Sequence, residues 1–100
     1  MEIDGLLISD EAVAALCLRH HIRRLAVFGS AVHGTLRPDS DIDVLVEFEE
    51  GHTPGFAFFD IQSDLSEVLG RRVDLNTPQF LGPRVRTKIQ AEAEVLFGAN

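Results

Sequence analysis

The sequence predicts an α/β (α+β) fold, a small mixed sheet of three to four strands with helices packed on one face. Short apolar segments with a two-residue period alternate along the chain with longer segments of helical period. Strands that alternate with helices form a sheet covered by helices. The length of 100 residues suits a single domain, 1–100, and no repeat or low-complexity segment divides it.

The first predicted element is a helix from Asp10 to about His21. Ser9 is a suitable N-cap, and acidic residues occupy the first turn. The apolar residues of this helix recur at helical spacing, and they include Val13, Leu16 and Cys17.

Two strands follow on either side of the turn at Gly29. The first covers Leu25 to Phe28, and the second covers residues 41–48. In the second strand every other residue is apolar, which places four of them on one face: Ile42, Val44, Val46 and Phe48.

The second half of the chain repeats this alternation. Residues 49–55 are typical of a turn, and apolar residues at helical spacing follow: Phe58, Ile61, Leu65 and Val68 or Leu69. Gly70 ends that helix, and residues 71–75 form a third short strand. Pro83 begins a last helix that continues to about Ala93, before a short edge strand at 94–97.

The composition excludes several classes of protein. At a net charge of −7 the chain lacks the basic surface that follows a nucleic-acid backbone, so no direct nucleic-acid binding is expected. Cys17 is the single cysteine, which rules out an internal disulfide, and we expect it to be a small buried hydrophobic residue. The N-terminus lacks a basic signal-peptide region and no apolar stretch reaches transmembrane length. We therefore expect the protein to be cytoplasmic and not to associate with a membrane.

Three aspartates are placed to converge on this sheet. Asp41 and Asp43 lie two residues apart, so they project from the face opposite the apolar residues of their strand. Asp74 takes the same side of the third strand, between Val73 and Leu75. If the strands are neighbours, these carboxylates repel one another unless protons or cations lie between them. Because Mg²⁺ binds one or two carboxylates together with substrate phosphates, we expect a metal site here.

A turn suited to phosphate precedes the aspartates. Gly29 lets the backbone approach a ligand closely, and Ser30 offers a hydroxyl and a backbone N–H at the start of a short helix. The Gly-Ser pair alone, or the Asp-Ile-Asp triplet alone, is a weak signal. Together with Asp74 they form a much rarer combination.

This combination resembles the signature of the DNA polymerase β-like nucleotidyltransferase superfamily: Gly29-Ser30, ten intervening residues, then Asp41-Ile42-Asp43. The best match is its smallest branch, the minimal nucleotidyltransferase (MNT) domains, over nearly the whole chain. In that family the Gly-Ser pair contacts the triphosphate, the paired aspartates bind two divalent metals, and a third carboxylate helps to activate the incoming hydroxyl. The resemblance implies these roles for Gly29, Ser30, Asp41, Asp43 and Asp74, with two Mg²⁺ ions as cofactor and ATP as the substrate.

One position departs from the family pattern. Many minimal members read Gly-Ser-x-Ala-Arg-Gly, whereas this chain has His33 in place of the arginine. Histidine is at most partly charged near pH 7, so it neutralises phosphate less well, and an exposed turn histidine without a role is an equally weighted alternative. Arg37 matches a basic position just before the aspartates, and we expect it to contact the nucleotide.

The resemblance also implies a partner. Minimal nucleotidyltransferases resemble the antitoxins of two-gene modules that contain a HEPN-type ribonuclease toxin, and some transfer AMP from ATP to a tyrosine of that toxin. Because the nucleotidyltransferase core takes up the chain, we expect a partner protein to supply the acceptor, and homo- or hetero-oligomers stay open. The apolar residues that could contact this partner include Phe56, Phe58 and Phe59, although a core position is favoured for Phe58.

Two other hypotheses stay open. In the first, the chain is a catalytically weak nucleotide- and metal-binding antitoxin that neutralises its partner by stoichiometric binding. In the second, which is less favoured, it modifies a small molecule or an RNA end. The acidic charge of the chain counts against an RNA substrate.

Overall fold

The structure, a computed structural model, describes residues 1–98. Along the chain the elements are β1 (Glu2–Ile3), β2 (Leu6–Leu7), α1 (Asp10–Arg19), β3 (Ile22–Phe28), α2 (Ser30–His33), β4 (Ile42–Phe48), α3 (Ala57–Leu69), β5 (Val73–Asn76), a 3₁₀ helix (Pro78–Phe80), α4 (Pro83–Glu92) and β6 (Glu94–Phe97). The last four strands form one sheet in the order β5-β4-β3-β6. In this sheet β3 is antiparallel to both β4 and β6, whereas β4 and β5 are parallel. The predicted mixed α/β fold is confirmed.

The hydrophobic core joins α1 and α3 to one face of the sheet. In α1 the predicted residues Val13, Leu16 and Cys17 are all buried. Burial raises the pKa of the Cys17 thiol to about 12, so the thiol stays protonated and packs as a small apolar group. In α3, Leu69 is fully buried and Val68 only partly, which resolves the alternative left open by the helical spacing.

The opposite face of the sheet is also partly covered. Ala26 and Leu45 are direct partners in the β3–β4 pair, and both are buried although they lie on the aspartate side of their strands. The 3₁₀ helix lies against β4. By contrast, α4 has no buried residue.

Three boundaries differ from the sequence prediction by two or more residues, and one of them is the start of β5 at Val73 rather than at residue 71. β3 begins at Ile22, three residues earlier than predicted, because Arg23 and Arg24 both donate hydrogen bonds to Glu47 across the strand pair, at 2.7 and 3.0 Å. Helix α1 ends at Arg19 rather than near His21, whose positive φ of 56° turns the chain into β3.

A small hairpin near the N-terminus was not predicted. Its two strands, β1 and β2, are antiparallel and have only two residues each, too few to produce a periodic signal. Asp4 and Gly5 connect them, both with positive φ. Between residues 1 and 98, none of the helices is both long enough and apolar enough to cross a membrane.

Candidate active site

β4 and β5 bring the three aspartates together at one edge of the sheet. Asp43 and Asp74 are direct partners in the parallel β4–β5 pair. Asp41 immediately precedes β4, two residues before Asp43. The neighbouring residues Ile42 and Val44 are buried on the other face, and this burial sets the direction in which the aspartates project.

The carboxyl of Asp43 is partly buried beside two other carboxylates. Partial burial and the negative charge of Asp74 raise the pKa of Asp43 above its usual value, with smaller contributions from a hydrogen bond to Asp74 and from the charge of Asp41. When protonated, Asp43 donates that hydrogen bond to the Asp74 carboxylate. The site therefore holds more negative charge than its own surroundings neutralise.

Asp41 is partly neutralised by a neighbouring arginine. Arg72 Nε lies 3.1 Å from Asp41 Oδ1, and both side chains are largely accessible to solvent. Throughout residues 1–98, no three acidic, histidine or cysteine side chains are already arranged as a metal-binding group. The aspartates are thus adjacent in the sheet without being closed around a common point.

The chemistry of the donor set nevertheless suits Mg²⁺. All three side chains are carboxylates, the hard oxygen ligands that Mg²⁺ prefers. Burial and the negative charges of Asp74 and Asp41 raise the pKa of Asp43, and a divalent cation would favour its ionised form. Asp41, Asp43 and Asp74 are therefore the residues that would hold such an ion.

Gly29 lies directly against the Asp43 carboxylate. It follows Phe28, the partner of Asp43 in the β3–β4 pair, and it has φ 69° and ψ −138°. A Cβ atom at this position would overlap Asp43 Oδ2. Only glycine combines this backbone conformation with the space that Asp43 needs. Ser30 comes next and begins α2, so the Gly-Ser turn and the aspartates border the same part of the sheet.

His33 is paired with the last turn of α4. Its Nε2 atom lies 3.2 Å from Glu92 Oε2, and both side chains are exposed. A histidine held by a carboxylate is a weaker phosphate ligand than the arginine common in the family pattern. Arg37, the predicted nucleotide contact, lies exposed in the loop between α2 and β4.

Arg71 is a site residue that the sequence analysis missed. Its Nη2 donates hydrogen bonds to the backbone carbonyls of Arg37 and Ser40, the latter at 2.6 Å. It thereby fastens the loop that leads into Asp41. The same loop is held at Leu36, whose backbone N–H donates to Asp4 Oδ2 at 2.8 Å. These contacts join segments distant in sequence, and no local pattern marks them.

Comparison with known proteins shows the family. A family model described as a nucleotidyltransferase domain matches residues 9–96. A Methanocaldococcus jannaschii relative, MJ0435, named as a candidate protein adenylyltransferase, is 35% identical over 81% of this chain and 86% of its own length. The protein adenylyltransferase MntA of Thermococcus cleftensis is 45% identical over 57% of each chain.

Solved structures agree with this assignment. A candidate minimal nucleotidyltransferase is 44% identical, with a TM-score of 0.72, over 85% of this chain and 86% of that chain. A chain of a toxin–antitoxin complex with AMP-PNP has a TM-score of 0.73 at 20% identity, over 93% of this chain and 76% of its own. A chain from a complex of a tri-AMPylated Shewanella oneidensis HEPN toxin with its MNT antitoxin has a TM-score of 0.63 at 17% identity, over 90% and 70%. The last two similarities show the fold alone. The chain belongs to the nucleotidyltransferase domain family, in its minimal branch, and is a nucleotidyltransferase by class.

Proposed function

We propose that this protein transfers AMP from ATP to a hydroxyl group of a partner protein, and that the partner is a HEPN-type toxin which the transfer silences. The observation that carries the proposal is the register of β4 and β5, which makes Asp43 and Asp74 direct partners while Gly29 lies against Asp43. The names of the relatives support adenylyl transfer to protein. The partner is supported by the toxin–antitoxin complexes among the structures of similar fold.

The proposed reaction is an in-line displacement at the α-phosphate of ATP. The acceptor oxygen forms a bond to the α-phosphorus, the bond from that phosphorus to the bridging oxygen of the β-phosphate breaks, and pyrophosphate leaves. The Gly29–Ser30 turn positions the triphosphate through backbone N–H groups and the serine hydroxyl. Asp74 accepts the proton of the attacking hydroxyl or directs it to solvent.

Asp41, Asp43 and Asp74 would hold the Mg²⁺ ions in this reaction. When bound, such ions lower the pKa of an attacking hydroxyl and stabilise the charge on the leaving oxygen. Arg72 must then release Asp41, since its guanidinium lies against one of the carboxylate oxygens. As Arg72 is mostly exposed, its displacement costs little.

The direct test is transfer of labelled AMP from ATP to the purified HEPN-type toxin that we propose as the partner. Asp41→Asn and Asp43→Asn should each lower the transfer rate at least about a hundredfold, because electrostatic stabilisation at the reacting phosphate supplies most of the acceleration. Asp39→Asn is the matched control, because Asp39 is an exposed aspartate of the loop before β4 that belongs to no part of the proposed site. Undiminished transfer by both site variants would overturn the proposal.

A second candidate function is neutralisation of the partner by stoichiometric binding. Two contacts favour it. Glu92 pairs with His33, which would otherwise be free to contact the nucleotide, and Arg72 pairs with Asp41, which would otherwise be free to bind the metal. Under this alternative the Asp41 and Asp43 variants would still protect cells from the toxin, and labelled AMP would not appear on it.

A single 1–100 domain and a cytoplasmic location stay predictions of the sequence.

A further inference from the structure

A groove lies at the end of β4 far from the three aspartates. It has a volume of about 650 Å³ and is lined by Arg23 and by residues 46–48, 53–55, 58–59 and 77–80. Val46 and Thr77, the lining residues nearest in sequence to the aspartates, follow Asp43 and Asp74 by three positions, which corresponds to about 10 Å along a strand. The groove is therefore separate from the Gly29 turn and the aspartate cluster.

Aromatic rings form one wall of this groove. Phe58 contacts the rings of Phe59 and Phe80 edge to face, at centroid distances of 6.1 and 5.8 Å. Phe59 and Phe80 are nevertheless 65% and 67% exposed. A single exposed phenylalanine is ordinary on a protein surface, whereas adjoining rings that line a concavity are typical of a binding surface.

The charges around the groove indicate what kind of surface would cover it. Inside, Arg23 pairs with Glu47, whose Oε1 lies 2.7 Å from the guanidinium, and Glu47 also pairs with Arg24. Around it, Glu49 and Glu50 lie between the lining residues Phe48 and Thr53, and Asp60 follows Phe59; all three acids are exposed. A second copy of the chain, with its own net charge of −7, would be repelled. A basic partner is favoured.

We propose that this groove is the docking surface for the partner protein, which inserts an apolar side chain between Phe59 and Phe80 and places basic residues beside Glu50 and Asp60. The inference rests on the proposed function, because it takes the partner to be the HEPN-type toxin. A ribonuclease needs a basic surface to attract the RNA backbone, and such a surface complements the acidic border of the groove.

The position of the groove is compatible with catalysis. The groove lies about 10 Å along the strands from the aspartates, so another segment of a partner bound there can bring its acceptor hydroxyl to Asp43 and Asp74. Anchoring the partner at a separate site would raise the local concentration of that hydroxyl without occupying the nucleotide site.

The test is the dissociation constant of the full chain for the purified toxin, measured by isothermal titration calorimetry. A Phe59→Ser, Phe80→Ser double variant should weaken binding at least about thirtyfold, as expected for buried aromatic anchors. Phe56→Ser is the matched control: Phe56 is 92% exposed and near in sequence, yet it does not line the groove. The dissociation constant of the Phe56→Ser variant for the toxin should stay within about twofold of that of the unmodified chain.

A second pair of variants tests the charges. Glu50→Lys with Asp60→Lys should slow association and reduce its dependence on salt, whereas Glu2→Lys, which changes an exposed acid in the hairpin, should not. Circular dichroism of each variant shows whether the fold is retained. The exposure of all the substituted side chains makes loss of the fold unexpected.

Each other outcome has a distinct meaning. If the toxin binds and the Phe59/Phe80 variant binds equally well, the docking surface is wrong and the proposed function stands. If the unmodified chain neither binds nor modifies the toxin, the partner and the docking surface both fall. If sedimentation shows a dimer of this chain that the double variant abolishes, a second copy covers the groove and the proposal is overturned.

Discussion

Asp43 is the least exposed of the three aspartates of the candidate site. It faces Asp74 across the strand pair, and Gly29 closes the space on its other side. The folded chain keeps a carboxyl where burial and like charges penalise it. Such an arrangement is typical of a functional site, where residues needed for the reaction are retained although they lower the stability of the fold.

We expect Asp43→Asn to stabilise the metal-free protein at pH 7 by about 0.5 kcal/mol, because it removes a like-charge pair from directly opposite positions. The pKa of Asp43 is raised in the folded state, so the folded protein holds this proton more tightly than the unfolded chain does. The stability that this tighter proton binding contributes is present at low pH, and it is lost as the pH rises through the folded pKa of Asp43.

The stability gain of Asp43→Asn should therefore grow as pH increases from about 3.5 to 7. Urea unfolding at several pH values measures it, with Asp39→Asn as the control. A gain that shrinks with rising pH would contradict the assignment of the repulsion to Asp43.

Gly29 and Gly34 allow a matched comparison at the residue scale. Both have positive φ, 69° and 71°, but only Gly29 has a neighbour within reach of an added Cβ, namely Asp43. Gly34→Ala should cost about 1 kcal/mol from backbone strain alone. Gly29→Ala should cost about 2–3 kcal/mol, because its backbone conformation is nearly restricted to glycine and its Cβ would displace Asp43. Thermal unfolding measures both, and equal costs would contradict the close contact.

At the scale of elements, the start of β4 depends on the segment before β5. Ile42 N–H donates to the Arg72 carbonyl at 2.9 Å, and Arg71 holds the carbonyls of Arg37 and Ser40. The hairpin contributes Asp4 to the same loop. Two separate parts of the chain, the segment before β5 and the hairpin, thus help to determine where Asp41 lies relative to its partners.

We expect Arg71→Met to destabilise the protein by about 1–2 kcal/mol, because two backbone carbonyls lose a charged donor. Arg72→Met is the adjacent control: among residues 1–98 its 82% exposed side chain forms an ion pair only with Asp41, so about 0.5 kcal/mol or less is expected. Hydrogen exchange should also show faster opening at residues 37–41 in the Arg71 variant alone. If Arg72→Met were the more damaging substitution, the role assigned to Arg71 would be wrong.

At the scale of the whole molecule, ligand binding should be visible as stability. A ligand that binds only the folded state raises the free energy of unfolding by RT ln(1 + [L]/Kd), about 2.7 kcal/mol at a hundredfold excess over Kd. We expect Mg²⁺ with ATP to raise the Tm of the native protein but not that of an Asp41→Asn, Asp43→Asn double variant. EDTA should remove the increase. An equal increase in both proteins would place the metal elsewhere.

The sequence by itself determined the elements whose signals are local. The alternation in β4 fixes which side Asp43 takes, and the helical spacing in α1 and α3 selects their buried residues. The family signature from Gly29 to Asp43 also lies within one short segment, so it could be recognised without knowing which strands are neighbours.

Only the tertiary structure decided the contacts between segments distant in sequence. The parallel register that sets Asp43 beside Asp74, the Arg71 hydrogen bonds and the His33–Glu92 contact each join such segments. The early start of β3 belongs here too, because Arg23 and Arg24 are typical of a loop in sequence, and only their pairing with Glu47 across the sheet explains their place in a strand. Local sequence sets the direction of a side chain, whereas the packing of the chain against itself sets which side chains meet.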